Sequence, residues 1–215
     1  KSNTRKKINQ LHRGRQDLRK LIHIAIGMFG FVYVFFEWEI IVFIWLIAIF
    51  CAWFLPSRVE ALEVLLTRDE NRLGYSPEMI KYGGVMALSL VIFQGKILES
   101  LIVLAALAFG DGFSGLIGLN FKGTSLPYNS EKSVAGTFAF IIFGTIGALA
   151  LIFFYAVFKI QVPFEPGLGS LPIFRILIIM AVCAVVESIP WKVSDNLPIG
   201  IAAIIMSFLT IPITH

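Results

Sequence analysis

Seven apolar runs separated by short polar stretches make up most of the chain: Leu21–Phe36, Ile40–Leu55, Gly83–Gly95, Ile97–Leu119, Ser133–Phe158, Pro172–Ile189 and Leu197–Ile211. A helix that crosses a bilayer needs about 20 predominantly apolar residues, with a workable range of about 17 to 25. The pattern predicts one helix per run. The third run is short on this count, which makes its helix tilted, re-entrant or packed wholly against protein. The fold class implied is all-α, a polytopic integral membrane protein with about seven transmembrane helices.

Composition agrees with the pattern. Of 215 residues, 57% are hydrophobic and only 15% charged, against about 25% charged in soluble proteins. Twenty phenylalanines spread through the runs fit lipid-facing surface. Cys51 and Cys183 both lie inside apolar runs and read as small core or lipid-facing residues rather than a disulfide or metal pair.

Charge orients the spans. The first twenty residues hold Lys1, Arg5, Lys6, Lys7, Arg13, Arg15, Arg19 and Lys20. A basic stretch before an apolar run can imitate a signal peptide, but no small-residue cleavage pattern comes after it, so a retained first helix is expected. The chain opens on Lys1 rather than methionine and reads as a trimmed product. With the N-terminus placed in the cytoplasm, only Lys96, Lys159 and Arg175 of the 18 Lys and Arg residues fall on the opposite side. That is the positive-inside pattern, and seven spans then put His215 outside. Residues 1–18 read as a basic cytoplasmic flank and 19–215 as a single transmembrane domain. The basic excess is accounted for by the membrane, and no nucleic-acid partner is implied.

On this topology the polar clusters gather at the cytoplasmic face, with no matching set opposite. Asp111 is a carboxylate inside an apolar run, where a charge costs roughly 3 kcal/mol on translocon scales and more in simulation. Helical spacing puts Asp111, Ser114, Gly115 and Gly118 on one face. Two readings fit: a small-residue packing seam in which Asp111 pairs with a neighbouring Lys or Arg, or a carboxylate that holds Mg²⁺, an ion that takes oxygen ligands. Glu187 is the second acid in the membrane, and two acids on one side suggest a shared cation.

Lys132 and Ser133 stand where the long fifth helix begins, a place that favours an anion. The plainer reading is a juxtamembrane lysine beside an Asn129 or Ser130 cap, and the loop Gly118-Leu119-Asn120-Phe121-Lys122-Gly123 leans toward phosphate. Asp195 and Asn196 precede Leu197-Pro198, a capping pattern that accounts for one of them. Arg19 and His23 share a helix face, with His23 either packed or catalytic. Arg68, Glu70 and Arg72 read as a solvated loop or a weak further cluster. No Walker A loop, Gly-x-Gly-x-x-Gly, His-Glu-x-x-His or Cys-rich pattern is present, so a soluble-type nucleotide fold is not supported.

Together these segments resemble the family of dolichol kinase, phytol kinase and CTP-dependent diacylglycerol kinase. That family's Arg-Lys-x-x-His-x-x-x-Gly entry is matched by Arg19-Lys20-Leu21-Ile22-His23-Ile24-Ala25-Ile26-Gly27. Its Asp-to-Ile-Gly segment is matched by Asp111 to Gly118, and its basic-aromatic-Gly loop by Phe121-Lys122-Gly123. Its Asn-Lys-Ser-x-Ala-Gly-(Ser/Thr) stretch has Glu131-Lys132-Ser133-Val134-Ala135-Gly136-Thr137 as counterpart. Its Glu followed by Asp-Asp-Asn is matched by Glu187 and Ser194-Asp195-Asn196. There are two departures. Leu119-Asn120 replaces an arginine often found after Ile-Gly, which leaves Lys122 in that role or the contact absent. Ser194 replaces the first Asp, which leaves fewer oxygens for a metal.

The resemblance implies an enzyme that transfers the γ-phosphoryl group of CTP, or a related nucleotide, to a lipid alcohol such as a polyprenol, phytol or diacylglycerol. Mg²⁺ would be organised by Asp111, Glu187 and Asp195. Phosphate oxygens would be met by Arg19, Lys20 and Lys132, with Gly118, Lys122 and Ser133 beside the nucleotide. His23 or a carboxylate, Asp111 included, would serve as base. Two rival readings are a CDP-lipid synthase, whose Asp-rich signature near the C-terminus is not visible, and an ion-coupled transporter carrying cations on Asp111 and Glu187.

Overall fold

The computed structural model describes residue 14 and residues 18–59, 74–121, 124–160, 171–191 and 195–210. Seven helices are present among them. They are α1 (Leu18–Phe35), α2 (Trp38–Phe54), α3 (Pro77–Phe93), α4 (Ile97–Asn120), α5 (Val134–Lys159), α6 (Leu171–Ser188) and α7 (Asn196–Leu209). Helices α1, α4 and α5 are long and apolar enough to cross a membrane, and α2 and α7 are shorter apolar helices. Such helices are those of a membrane protein.

Each helix lies over its predicted run, with shifted ends. The largest shift is in α3, expected from Gly83 and found from Pro77. Ser76 accepts a hydrogen bond from the Met79 amide and Pro77 occupies the first turn, so capping starts the helix inside a polar stretch that hydropathy passes over. This helix is not packed wholly against protein: one face is buried, while Leu88, Val91 and Ile92 are exposed. Tyr82, Gly83, Val85, Met86, Ala87, Ser89, Leu90 and Phe93 are all buried. The turn into α4 runs through Gln94 and Gly95 at φ 46° and 81°. A β-carbon at Gly95 would also stand 2.9 Å from the Trp38 ring, so glycine is required there twice over.

Helix α4 is the axis of the assembly. Of its most apolar stretch 72% is buried, against 22% for α1 and 33% for α5. Every side chain from Ser100 to Asp111 is buried. Alanines at 105, 106 and 108 let α1, α5 and α7 close on this segment, since close approach rather than water exclusion joins helices in lipid. One turn of α4, Ala106–Gly110, is π-helical and ends immediately before Asp111.

Consecutive helices alternate in direction. The starts of α1, α3, α5 and α7 meet the later halves of α4 and α6 at one end, where Lys20, Glu78, Lys132 and Asp195 approach Asp111 and Glu187. The one departure from all-helical structure among the described residues is a small hairpin ahead of α5. In it β1 (Ser125–Leu126) pairs antiparallel with β2 (Asn129–Ser133).

The opposite end corrects one expectation. Arg175, at the start of α6, donates to Glu99, at the start of α4, through both terminal nitrogens, with Nη1–Oε1 at 3.1 Å. It also donates to the Ser207 carbonyl at 2.9 Å and the Thr210 hydroxyl at 3.0 Å on α7. Lys159 and Glu37 pair at 2.9 Å on the surface. A polar set therefore does exist opposite the main cluster. Sequence placed Glu99 in an apolar run and could not reveal that helix rotation turns it toward Arg175.

Candidate active site

The site is built on Asp111, which is 1% exposed at the point where the π-turn of α4 returns to α-helix. A π-turn inserts a residue into the helix and re-aims the side chains after it, and it occurs often at functional positions. Lys20 on α1 reaches both carboxylate oxygens, at 2.8 and 2.7 Å, and the Asp111 carbonyl at 3.3 Å. Its path lies across Gly115, where a β-carbon would collide with the lysine chain. His23, one turn further along α1, brings Nδ1 to 3.5 Å from Asp111 Oδ2.

A second ion group stands beside the first. Lys132, on β2, donates to Glu187 of α6 and to Asp195 Oδ2 at 2.7 Å. Burial disfavours the charge on Lys132, but Glu187, Asp195 and Asp111 outweigh it and raise its pKa, so the ammonium is held charged. Ser114 joins the two groups, donating toward the Asp111 carbonyl at 3.1 Å and Glu187 Oε1 at 3.2 Å. One carboxylate oxygen each from Asp111, Glu187 and Asp195 lies within 4.8 Å of the others.

That donor set suits a hard divalent cation. Three carboxylates from α4, α6 and the start of α7 converge, all the ligand atoms are oxygen, and Mg²⁺ prefers oxygen. Lys20 and Lys132 stand among the three acids, and Arg19 lines the same clefts.

Ser133 caps α5, accepting from the Gly136 amide at 3.1 Å. The cap is thus Ser133 rather than Asn129 or Ser130; Asn129 instead accepts from the Glu131 amide and donates to the Ser188 carbonyl. Asp195 occupies the cap position of α7 but makes no capping hydrogen bond, because its carboxylate is turned to Lys132. Gly136 lies against α4, where a β-carbon would stand 2.9 Å from the Ser114 carbonyl oxygen and 3.6 Å from the Gly118 Cα. Glycine at 136 lets the start of α5 approach the cluster.

A cleft of about 190 Å³ lies over this cluster. Arg19, Gly118, Lys132, Ser133, Thr137 and Glu187 are among its walls. Of the residues singled out from sequence, Arg19, Lys20, His23, Asp111, Gly118, Lys132, Ser133, Glu187 and Asp195 all lie at this end of the molecule. Lys122, Ser194 and the Arg68–Arg72 cluster lie outside the described residues. Sequence reasoning passed over Glu78 and Met79, which line a second opening. Their signal was Ser76-Pro77-Glu78, a helix start on the side of the acids.

The probable phytol kinase 1 of Glycine max, named as chloroplastic, is 29% identical over 154 residues, covering 70% of this chain and 49% of the relative. Phytol kinase 1 of Arabidopsis thaliana, also named as chloroplastic, is 29% identical over 153 residues, 68% of this chain and 49% of its own. The farnesol kinase of Arabidopsis thaliana is 32% identical over 109 residues, 50% of this chain and 34% of its own. The chain is thus similar to phytol and farnesol kinases, which supports a polyprenol/phytol kinase family.

It spans about half the length of the curated phytol kinases it matches. No protein-family model matches it, and no solved structure does. The four segments that resemble the family in sequence, around His23, Asp111, Lys132 and Asp195, come from α1, α4, β2 with α5, and α7, and they surround one cluster of charges.

Proposed function

We propose that this chain is the catalytic part of a lipid-alcohol kinase that transfers the γ-phosphoryl group of a nucleoside triphosphate, CTP favoured, to the hydroxyl of a membrane lipid. The observation that carries the reading is the convergence of Asp111, Glu187 and Asp195 with Lys20 and Lys132 among them, in a relative of phytol and farnesol kinases. The alcohol class covers phytol, farnesol and longer polyprenols, with diacylglycerol as a further acceptor to test.

Phosphoryl transfer asks a protein mainly for in-line positioning and neutralised charge. Asp111, Glu187 and Asp195 would hold Mg²⁺, which when bound would offset triphosphate charge. Lys132, with the capped start of α5 at Ser133 and the close-packed Gly118, would receive the phosphates. Arg19, Lys20 and Lys122 would add positive charge around them. Lys20 and Lys132 are counter-ions of the acids here, and both would also be within reach of phosphate oxygens. The alcohol oxygen attacks the γ-phosphorus, the bond from that phosphorus to the β–γ bridging oxygen breaks, and the nucleoside diphosphate departs. The hydroxyl proton passes to Asp111 or His23.

The seven helices would all span the bilayer, with the N-terminus and the site at the cytoplasmic face. A cysteine placed at Glu131 should then react with an impermeant maleimide only in inverted vesicles, and one at Lys159 only in right-side-out vesicles. The function is tested with a panel of lipid alcohols and CTP, ATP or GTP labelled at the α- or γ-phosphate. Label reaching lipid from the γ position supports the kinase; label reaching it only from the α position would instead indicate a CDP-lipid synthase.

A further inference from the structure

The charge cluster opens through two clefts of different chemistry. The first lies over Lys132, Ser133, Gly118 and Gly136. The second lies between the starts of α1, α3 and α7, lined by Ile22, His23, Glu78, Met79 and Asn196, with Asp111 in its wall. Arg19, Lys20 and Asp195 belong to both. We propose that the second cleft is the acceptor site, where the lipid alcohol places its hydroxyl between His23 and Asp111 and leads its chain out past Ile22 and Met79. This rests on the lipid-alcohol kinase reading.

Charge separates the two clefts. Both share Arg19, Lys20 and Asp195, but the first adds Lys132 and the start of α5 beside Glu131 and Glu187, whereas the second adds only the acids Glu78 and Asp111 and so offers a triphosphate less positive charge. A neutral alcohol needs no such charge. Its hydroxyl donates one hydrogen bond and accepts others, which a carboxylate and an imidazole can satisfy together.

Among the described residues, the buried Tyr82 hydroxyl has no hydrogen-bond partner, and buried His23 Nδ1 has only the Asp111 carboxylate, 3.5 Å away. Buried polar atoms are seldom left so. The His23 ring is steadied from behind, its centroid 5.4 Å from that of Tyr82. Tyr82 rests in turn on Trp45, which donates to Tyr33 at 2.7 Å. This stack holds the imidazole with Nδ1 facing Asp111 Oδ2 at 3.5 Å.

The walls also suit a hydrocarbon. Ile22 and Met79 are the apolar side chains of the second cleft, and methionine adapts to irregular chains. The first cleft is lined mainly by glycine, hydroxyl and charged residues and offers no comparable wall.

The test combines kinetics with photolabelling. With γ-labelled CTP and farnesol, Met79→Trp should raise the KM for alcohol by at least about tenfold while the KM for nucleotide stays within about twofold. Farnesol bearing a diazirine near its hydroxyl end should label wild-type protein at Ile22 or Met79, a readout that needs neither turnover nor a variant that folds. Label confined to the Lys132 side, or an unchanged alcohol KM in a folded Met79→Trp protein that still transfers phosphate, overturns the acceptor site alone. Wild-type protein that phosphorylates no lipid alcohol with any nucleotide overturns the kinase reading instead.

Discussion

Lys20 and Asp111, 91 residues apart, meet through both carboxylate oxygens of the aspartate. The pair is the one expected of a packing seam in which Asp111 meets a neighbouring lysine. Pairing offsets the cost of a charge in the middle of α4. Lys20 is 24% exposed, so it can reach water if its partner is lost.

That asymmetry shapes the first prediction. Asp111→Asn should insert and fold nearly as wild type, because a neutral amide is easier to bury than a carboxylate. Its kcat/KM should fall by at least about a hundredfold. Yield and monodispersity in detergent check folding, and substantial activity at saturating Mg²⁺ would remove Asp111 from the site.

Glu187→Gln tests the shared cation. The glutamate is buried and receives both Lys132 and Ser114. If it holds metal together with Asp111, the variant folds, loses transfer and needs more Mg²⁺ for its residual rate. A protein that unfolds outright would make Glu187 a structural partner of Lys132 only.

Lys132 separates phosphate binding from simple anchoring. A planar guanidinium does not reproduce the reach of an ammonium to one oxygen. Lys132→Arg should therefore insert normally yet lose at least about tenfold in kcat/KM for nucleotide, roughly 1.4 kcal/mol. Lys132→Ala should be worse and should also destabilise, because it strands Glu187 without its cation. Near-native kinetics in both would show that the lysine only anchors α5.

Gly136→Ala probes the approach of α5 to α4. The new methyl would press on the backbone carbonyl of Ser114, which cannot move aside as a flexible side chain would. Overpacking of this kind costs about 1–3 kcal/mol. Thermal unfolding in detergent should show the loss, together with weaker transfer as Ser133 and Lys132 are displaced.

Arg175→Leu addresses the other end. Removing one partner of a buried pair costs about 3–5 kcal/mol, whereas replacing both with apolar residues is often neutral. The single variant should be much less stable, and Glu99→Leu/Arg175→Leu should recover stability with activity near wild type. A double variant that folds but is inactive would mean that this pair serves the reaction.

Seven helices were legible from the apolar runs alone, because hydropathy is local and survives errors of a few residues at the ends. So was the set of segments that meet in the charge cluster, because Asp111 and Glu187 are expensive in apolar runs and Lys132-Ser133 marks a helix start. Partnership was not legible. Lys20 with Asp111, Lys132 with Glu187, Ser114 with Glu187, and Glu99 with Arg175 join residues 91, 55, 73 and 76 positions apart. Each depends on how two helices rotate about their axes, which spacing within one helix does not specify. The π-turn that aims Asp111, the hairpin that delivers Lys132 and the turning of Asp195 away from its capping role arise the same way. They are settled by packing around α4, where glycines and alanines decide how closely each neighbour can come.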